Sequence, residues 1–377
     1  MLLELHILQN FAPSNLNRDD LGSPKSCEFG GVPRARISSQ CIKRAMRQEF
    51  KQANLIAEGD RAERSKRFAE KIAEQLQLRG RADVEALAVA EAALALLGVA
   101  REGKTEYPLF LGAREVDSIV ACCDSRWEAL VAASGEKRRK KDKKDAEATT
   151  LAKELEEALD GGKAADLALF GRMIADLPGR NRDAASQVAH PISTHRVVAE
   201  SDYFTAVDDL PEDTPGADMI GNVEFNSACY YRYANIDLNQ LIKNLNGDAD
   251  LAEATVRAFM LASRDAVPTG KQNSFAAHNP PSLVFAVLRE RGAWSLANAF
   301  VNPVRPERDA GLVDGSIKAL DRYWGELIAM YGLPTGASLA VVAPANAPLE
   351  HLEPARKASF ASLLNDTLAA IRPALAV

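Results

Sequence analysis

The chain has 377 residues, more than one average domain needs, with 47% hydrophobic and 26% charged residues. That is the balance of a globular protein that buries a sizeable core and needs no disulfide or metal staple. The formal net charge of −6 argues against a wholly basic nucleic-acid coat, but not against a local basic patch, because phosphate binding depends on where the charge sits.

The opening stretch MLLELHILQNF has no basic leader and no cleavage site, so it does not read as a signal peptide. No apolar run reaches membrane-spanning length, so no membrane association is expected. Within residues 2–10, Leu3, Leu5 and Ile7 point one way and Glu4, His6 and Leu8 the other, the alternation of a half-buried strand. From Ala12 to Gly31 the residues Pro, Ser, Asn, Asp and Gly recur, which predicts a long loop. A helix follows at SSQCIKRAMRQEF, capped by Ser38 or Ser39, with Ile42, Met46 and Phe50 forming the buried stripe.

Residues 52–170 read as almost wholly helical. Within them EKRRKKDKKD (136–145) is a mixed charge run, the pattern of a solvated loop or helix face. Cys122 and Cys123 read as thiols of a helix. The five cysteines form no CxxC pair or metal-spaced cluster, which suits a reducing cytoplasm. Residues 171–222 lose periodicity. Strand character returns at NVEFNSACYYRYANI, with Val223, Phe225 and Tyr231 on one parity. Helices at 237–245 and about 249–265, a strand near 283–289, a helix at about 314–331, a strand at 338–343 and a helix at about 351–373 complete the chain. The fold class is α+β, a core interrupted by a helical insertion and then by a long irregular one.

Three segments stand out as candidate sites. Residues 17–51 hold eight basic residues (Arg18, Lys25, Arg34, Arg36, Lys43, Arg44, Arg47, Lys51) against four acidic ones. Lys43, Arg47 and Lys51 share one helix face, beside the N–H groups at Ser38–Gln40, and the Gly30-Gly31 turn leads Arg34 and Arg36 toward the same cap. This suits phosphates, although periodicity alone fits an ordinary charged face as well. Tyr203 and Phe204 sit side by side in irregular chain, where aromatics either pin a loop to the core or stack on bases. PTGKQNSFAAHNPPS (268–282) offers Lys271 on a flexible loop that lacks phosphate-loop spacing. His190 and His195 lie five apart without a nearby cysteine or carboxylate, so no metal site is expected, and no motif implies a cofactor or a catalytic nucleophile.

The segment PSNLNRDDLGSPKSCEFGGVPRARISSQCIKRAMR resembles the N-terminal signature of the CasC (Cse-type) backbone subunit of the type I-E CRISPR Cascade complex. GRM at 171–173, AHPISTH, YFTAVDD, FNSACYYRYANID and GKQNSFAAHNP resemble that family's later blocks, in the same order. The resemblance implies an RRM-like (ferredoxin-like) palm, a helical fingers insertion and an irregular thumb. It divides the chain into a first palm part at 1–51, fingers at 52–170, a channel-lining connector at 171–189, a thumb at 190–223 and the rest of the palm at 224–377. It implies a cytoplasmic, non-enzymatic subunit that polymerises along a CRISPR guide RNA and presents it to a target DNA strand. Its partners would be further copies of itself and the large, small and guide-end-capping Cascade subunits.

On that basis Arg18, Lys25, Ser38, Gln40, Lys43, Arg44 and Arg47 would hold the guide backbone. Arg172 and Met173 would line the same channel, Tyr203, Phe204 and Thr205 would lie in the thumb, and Lys271 would face nucleic acid from another loop. Two positions depart from the family pattern: Val32-Pro33 stands where a basic residue follows the double glycine, and Tyr203 where a tryptophan is usual. The competing expectation is a type III-like backbone subunit that cuts target RNA with a loop aspartate, for which Asp19 and Asp20 are the candidates. A small-molecule α/β enzyme fits the size but has no cofactor motif behind it.

Overall fold

A computed structural model describes residues 1–101, 104–105, 107–135, 146–160, 162–205, 220–306, 311–333 and 336–376. The charge run at 136–145 and the 206–219 part of the thumb lie outside the described residues. Two compact units emerge, one of Met1–Ala53, Ser186–Leu238 and Val256–Val377, the other of Asn54–Ala185 and Asn239–Thr255.

The first unit is built on β1 (Leu2–Ser14), β2 (Ser26–Phe29), β3 (Val32–Ala35), α1 (Ser39–Gln52), β4 (Ser186–Val188), β5 (Ile192–Ser193), β6 (Glu200–Thr205), β7 (Ile220–Asp237), α2 (Ala249–Asp265, from Val256 onward in this unit), β8 (Leu283–Arg289), α3 (Leu312–Tyr331), β9 (Ser338–Val342) and α4 (Phe360–Leu375). β1 is the central strand. It pairs antiparallel with β7, from Leu2 opposite Asp237 to Ser14 opposite Asn226, and on its other side with β8, from Leu2 opposite Arg289 to Leu8 opposite Leu283. The far edge of β7 carries β4 and β5, and β8 carries β9. The chain order β1, α1, β4/β5, β7, α2, β8 with the spatial order β4/β5–β7–β1–β8 is the ferredoxin-like, RRM-like arrangement, to which β9 adds an edge.

The alternation read in β1 is present, but the strand is buried on both faces rather than one. On one side Ile7 lines a small pocket with Ile42 and Met46 of α1 and Ser263 of α2, and Leu3 lines another with Thr367 and Ala370 of α4. On the other side Leu8, Tyr231, Tyr233, Phe285 and Val287 pack against Ile317, Leu320 and Trp324 of α3 and against Phe300. Glu4 and His6 point to this second side and are fully buried.

Their burial is possible because each finds partners. Glu4 is ion-paired to Arg289 at 2.8 Å and accepts the Tyr233 hydroxyl at 2.7 Å and the Trp294 N–H at 2.7 Å. The Arg289 guanidinium stands 4.4 Å from the centre of the Trp294 ring. Tyr231 accepts the Leu296 N–H through its hydroxyl and pairs with His6 Nδ1 at 2.9 Å. Burial, reinforced by the Arg289 charge, pushes the His6 imidazole down to about 3, so it is neutral at ordinary pH.

The loop expected over 12–31 is partly ordered. β1 runs to Ser14, and β2 and β3 form a hairpin across the Gly30-Gly31 turn. Gly30 has φ +65°, and a Cβ there would overlap the Val301 carbonyl, so only glycine fits.

The second unit is not wholly helical. Helices Phe68–Leu78, Asp83–Leu96, Ala113–Ser125, Trp127–Gly135 and Ala146–Glu157 surround a core that includes Ile72, Leu76, Val89, Ile119, Leu130 and Leu155. The short strands Ala62–Ser65 and Leu109–Gly112 pair beside them. Cys123 is buried and Cys122 half-buried in Ala113–Ser125, and all five cysteines are free. Residues 171–185, which the sequence suggested as a connector, cluster with this unit, as do residues 239–255, which it assigned to the palm. Lys163 and Asp248 form an ion pair at 2.8 Å inside it. Among the described residues no helix is long and apolar enough to cross a membrane.

The Glu4–Arg289 pair gives a stability test. Arg289→Met leaves a buried carboxylate without its counter-ion and should cost about 3–5 kcal/mol in urea unfolding. Adding Glu4→Gln to Arg289→Met should recover part of that loss. A double variant whose loss equals the sum of the Arg289→Met and Glu4→Gln losses would show that the two charges do not depend on each other.

Candidate nucleic-acid interface

An RRM-like sheet commonly offers aromatic side chains on an open face for stacking bases. Here the corresponding aromatics, Tyr231, Tyr233 and Phe285, lie under Trp324 and Phe300. A ligand of this unit therefore has to use its loops, helix ends or an exposed edge strand.

Those segments converge around α1. Ser38 is the N-cap, its hydroxyl accepting the Cys41 N–H at 3.3 Å. The Asn17 side-chain oxygen accepts the Ser38 N–H at 2.7 Å, which fixes the preceding loop to the helix start. The Lys25 N–H donates to the Asn17 carbonyl, and the Arg36 N–H to the Lys25 carbonyl, each at 2.9 Å. A cavity of ≈ 460 Å³ opens between the 16–22 loop, α1 and the 268–270 loop. Arg18, Asp20, Cys41, Arg44, Gln48 and Thr269 are among its lining. Gly270 closes one wall so tightly that a Cβ would overlap the Leu16 carbonyl. Lys271 follows directly, with φ 50° at the start of a short turn.

The structure thus gathers Arg18, Lys25, Ser38, Gln40, Arg44 and the loop of Lys271 around one end of α1. Arg18, Gln40 and Arg44 are exposed, while Lys25, Ser38 and Lys271 are half-buried. Lys43 and Arg47 are also half-buried and already engaged in interactions of their own. Burial lowers the Lys43 ammonium pKa. The cation density at this end is therefore carried most openly by Arg18 and Arg44.

Several expectations need correction. The Ser38 N–H and Cys41 N–H already have partners, so the helix N-terminus is less open than its sequence suggests. Arg34 does not feed this surface. It is fully buried and donates to the carbonyls of Phe29 (3.1 Å), Ser193 (3.1 Å), Phe300 (2.7 Å) and Val301 (3.2 Å). The Asp19 carboxylate accepts the N–H groups of Leu21 (3.0 Å) and Ser23 (2.9 Å), the bonding of a turn.

Arg172, expected to line a channel, is instead locked inside the second unit. Its guanidinium is ion-paired to Glu115 at 2.7 Å, both side chains being essentially inaccessible, and it also donates to the Arg180 carbonyl. A guanidinium sealed in this way has no open edge for a phosphate. Its neighbour Met173 is 79% exposed, the opposite environment on adjacent positions. The histidines also have defined places. His195 accepts the Cys229 N–H at Nε2 and donates to the Arg196 carbonyl from Nδ1, so neither ring nitrogen is open to a metal. His190 is exposed and pairs with Arg36, a contact that sequence spacing gave no sign of, since the two lie 154 residues apart.

The thumb residues are ordered where the sequence suggested irregular chain. Glu200–Thr205 forms β6, paired with the first part of β7 in the register Tyr203–Asn222, Phe204–Gly221 and Thr205–Ile220. All six β6 residues are exposed. Tyr203 is 64% exposed and Phe204 41%. The Phe204 ring lies over Gly221, where a Cβ would overlap it, and this explains a glycine opposite an aromatic. Pinning and stacking are thus compatible: one side of the ring is packed and the rest is open.

A family profile described as CT1975-like protein matches residues 3–366 of the chain. No curated protein matches it. Among solved structures, a chain of a "CRISPR RNA-guided surveillance complex, pre-nicking" is 32% identical with a TM-score of 0.85, covering 98% of this chain and 100% of that one. A chain of a second structure, described as "CRISPR RNA-guided surveillance complex", is 27% identical with a TM-score of 0.73 over the same shares.

Arg34 provides a test that separates framework from surface. Arg34→Leu removes the donor of four carbonyls and should cost about 3 kcal/mol in denaturant unfolding. An unfolding midpoint within error of wild type would mean that water replaces the guanidinium without loss.

Proposed function

The chain belongs to the CT1975-like protein family, and from that membership we propose that it is a guide-RNA-binding backbone subunit of a Cascade-type CRISPR surveillance complex, of the CasC (Cse) kind. The observation that carries this reading is the likeness to a chain of a CRISPR RNA-guided surveillance complex from end to end, at a TM-score of 0.85. The loop-and-helix cavity rimmed by Arg18 and Arg44 supports it, because it offers cations and polar groups. A guide varies in sequence, so its carrier has to grip phosphate and sugar, which carry no sequence information.

In this reading Arg18, Lys25, Ser38, Gln40, Lys43, Arg44, Arg47 and Lys271 lie along the guide backbone, with Met173 beside it. Tyr203, Phe204 and Thr205 of the exposed β6 arm meet a displaced base. Copies of the subunit polymerise along the guide, alongside the other Cascade subunits, and the guide pairs with target DNA. The subunit works in the cytoplasm without a cofactor and is not an enzyme. Asp19, the first candidate for RNA cleavage, spends its carboxylate on its own turn, while Asp20 remains exposed.

The binding test uses the two open arginines. Arg18→Glu with Arg44→Glu should weaken binding of single-stranded RNA similarly for unrelated sequences. It should lower the slope of log K against log salt by about 0.7 for each phosphate no longer neutralised. Unchanged affinity and slope would remove this cavity from the RNA path. Incubating the assembled complex with magnesium and RNA complementary to the guide should leave that RNA intact. Cutting that is abolished by Asp20→Ala would replace the proposal with the nuclease reading.

The thumb has its own readout. Phe204→Ala should leave the subunit folded and guide binding largely in place. It should blur a regular pattern of hyper-reactive guide bases, since stacking on one aromatic is worth about 1–3 kcal/mol per base. An unfolded variant would mark Phe204 as a core anchor through Gly221, and an unaltered pattern would assign base displacement to other residues.

A further inference from the structure

Arg36 and His190 form a unit outside the cavity described above. The Arg36 guanidinium donates from Nε to the Ser26 carbonyl at 3.1 Å and from Nη1 to His190 Nδ1 at 2.9 Å. Its backbone N–H is bonded to the Lys25 carbonyl, and its chain position forms a bridge with Ile192. The guanidinium is therefore gripped by two acceptors that come from segments far apart in sequence, while Nη2 keeps its donors. Arginine can only donate, so His190 Nδ1 must accept, which places the imidazole proton on Nε2. His190 is exposed and Arg36 half-buried. Lys25 stands close enough that its charge, like that of Arg36, disfavours a protonated His190, behind the larger effect of partial burial.

Two cations held together with no carboxylate partner among the described residues make a site that favours an anion. A guanidinium already fixed in direction loses little freedom when it binds one. We propose that Arg36 contacts a phosphate of the bound RNA through Nη2, beside Lys25, and that His190 is the positioning residue that holds the guanidinium in place. This rests on the RNA-binding reading and adds to it a phosphate contact and the residue that orients it. A latch that merely ties the 25–36 hairpin to the 190–192 segment would use the same two hydrogen bonds, so the test has to read binding and stability separately.

The full-length chain is titrated with a labelled single-stranded RNA over a range of salt concentrations, and thermal unfolding of each variant is followed in parallel. Arg36→Ala should lower affinity about tenfold, the size of one charge-assisted hydrogen bond, and reduce the salt slope by about 0.7. His190→Leu should lower affinity in the same direction without removing a charge. His190→Gln, whose side-chain oxygen can accept from Arg36, should restore it. His190→Leu on the Arg36→Ala background should add almost nothing, because its effect runs through Arg36. Folded Arg36→Ala with wild-type affinity and slope overturns the proposal, as does loss confined to the unfolding temperature. Equal binding by His190→Leu and His190→Gln overturns the positioning role. Wild-type protein that binds no RNA would instead remove the underlying functional reading.

Discussion

The burial of the central sheet on both faces is the constraint from which the rest follows. β1 is paired on both edges and covered on both sides, by α1, α2 and α4 on one and α3 on the other. A strand in that position can carry Glu4 and His6 only with polar partners inside. Arg289, Tyr233 and the Trp294 N–H meet the Glu4 carboxylate, and the Tyr231 hydroxyl meets Nδ1 of His6. Desolvation is what makes this arrangement exacting: it raises the Glu4 carboxyl pKa and depresses His6, so each depends on its specific partner. A sheet closed in this way offers no face to a ligand. Binding falls to whatever the frame holds at its rim.

The rim is held by polar contacts rather than by packing. Arg34 is the clearest case. A fully buried guanidinium joins the β2–β3 hairpin to β5 and to the segment at Phe300–Val301 by three donated hydrogen bonds, with a fourth to Phe29 inside the hairpin. Gly30 lets the hairpin turn touch Val301, and Gly270 lets another loop touch Leu16. Loops fixed this closely give Arg18 and Arg36 defined positions, beside Arg44 on α1. Pre-organisation matters for phosphate binding because a long cationic side chain otherwise loses most of its gain to ordering. It also reconciles an acidic chain, net −6, with an RNA-binding reading, since only one rim has to be basic.

Arginine chemistry divides sharply by burial. Arg34, Arg172 and Arg289 serve as internal staples, bonded to carbonyls or to Glu115 and Glu4. Arg18 and Arg44 remain open to solvent. Arg36 is intermediate, with Nε and Nη1 used and Nη2 open. A resemblance can transfer a residue type to a position, but it cannot say on which side of this division the residue falls. Arg172 illustrates this, since its neighbour Met173 is largely exposed while its own guanidinium is sealed.

Periodicity and spacing alone determined most of the regular elements. The parity of Leu3, Leu5 and Ile7 made a strand, the i, i+4, i+8 stripe of Ile42, Met46 and Phe50 made a helix, and 283–289 read as the strand that forms β8. These signals are local, and local backbone preference is what short windows of sequence encode. The short strands of the second unit and the β6 arm were not legible, because pairing across tens of residues leaves no period to read. Composition located the basic stretch at 17–51 and ordered motif blocks located the family, but neither could sort its cations into staples and contacts. Only the tertiary structure decided that, by bringing Ser193, Phe300 and Val301 to Arg34, Glu115 to Arg172 and His190 to Arg36. Whether a charge binds a ligand or holds the fold is set by partners distant in sequence, and the chain must fold before they exist.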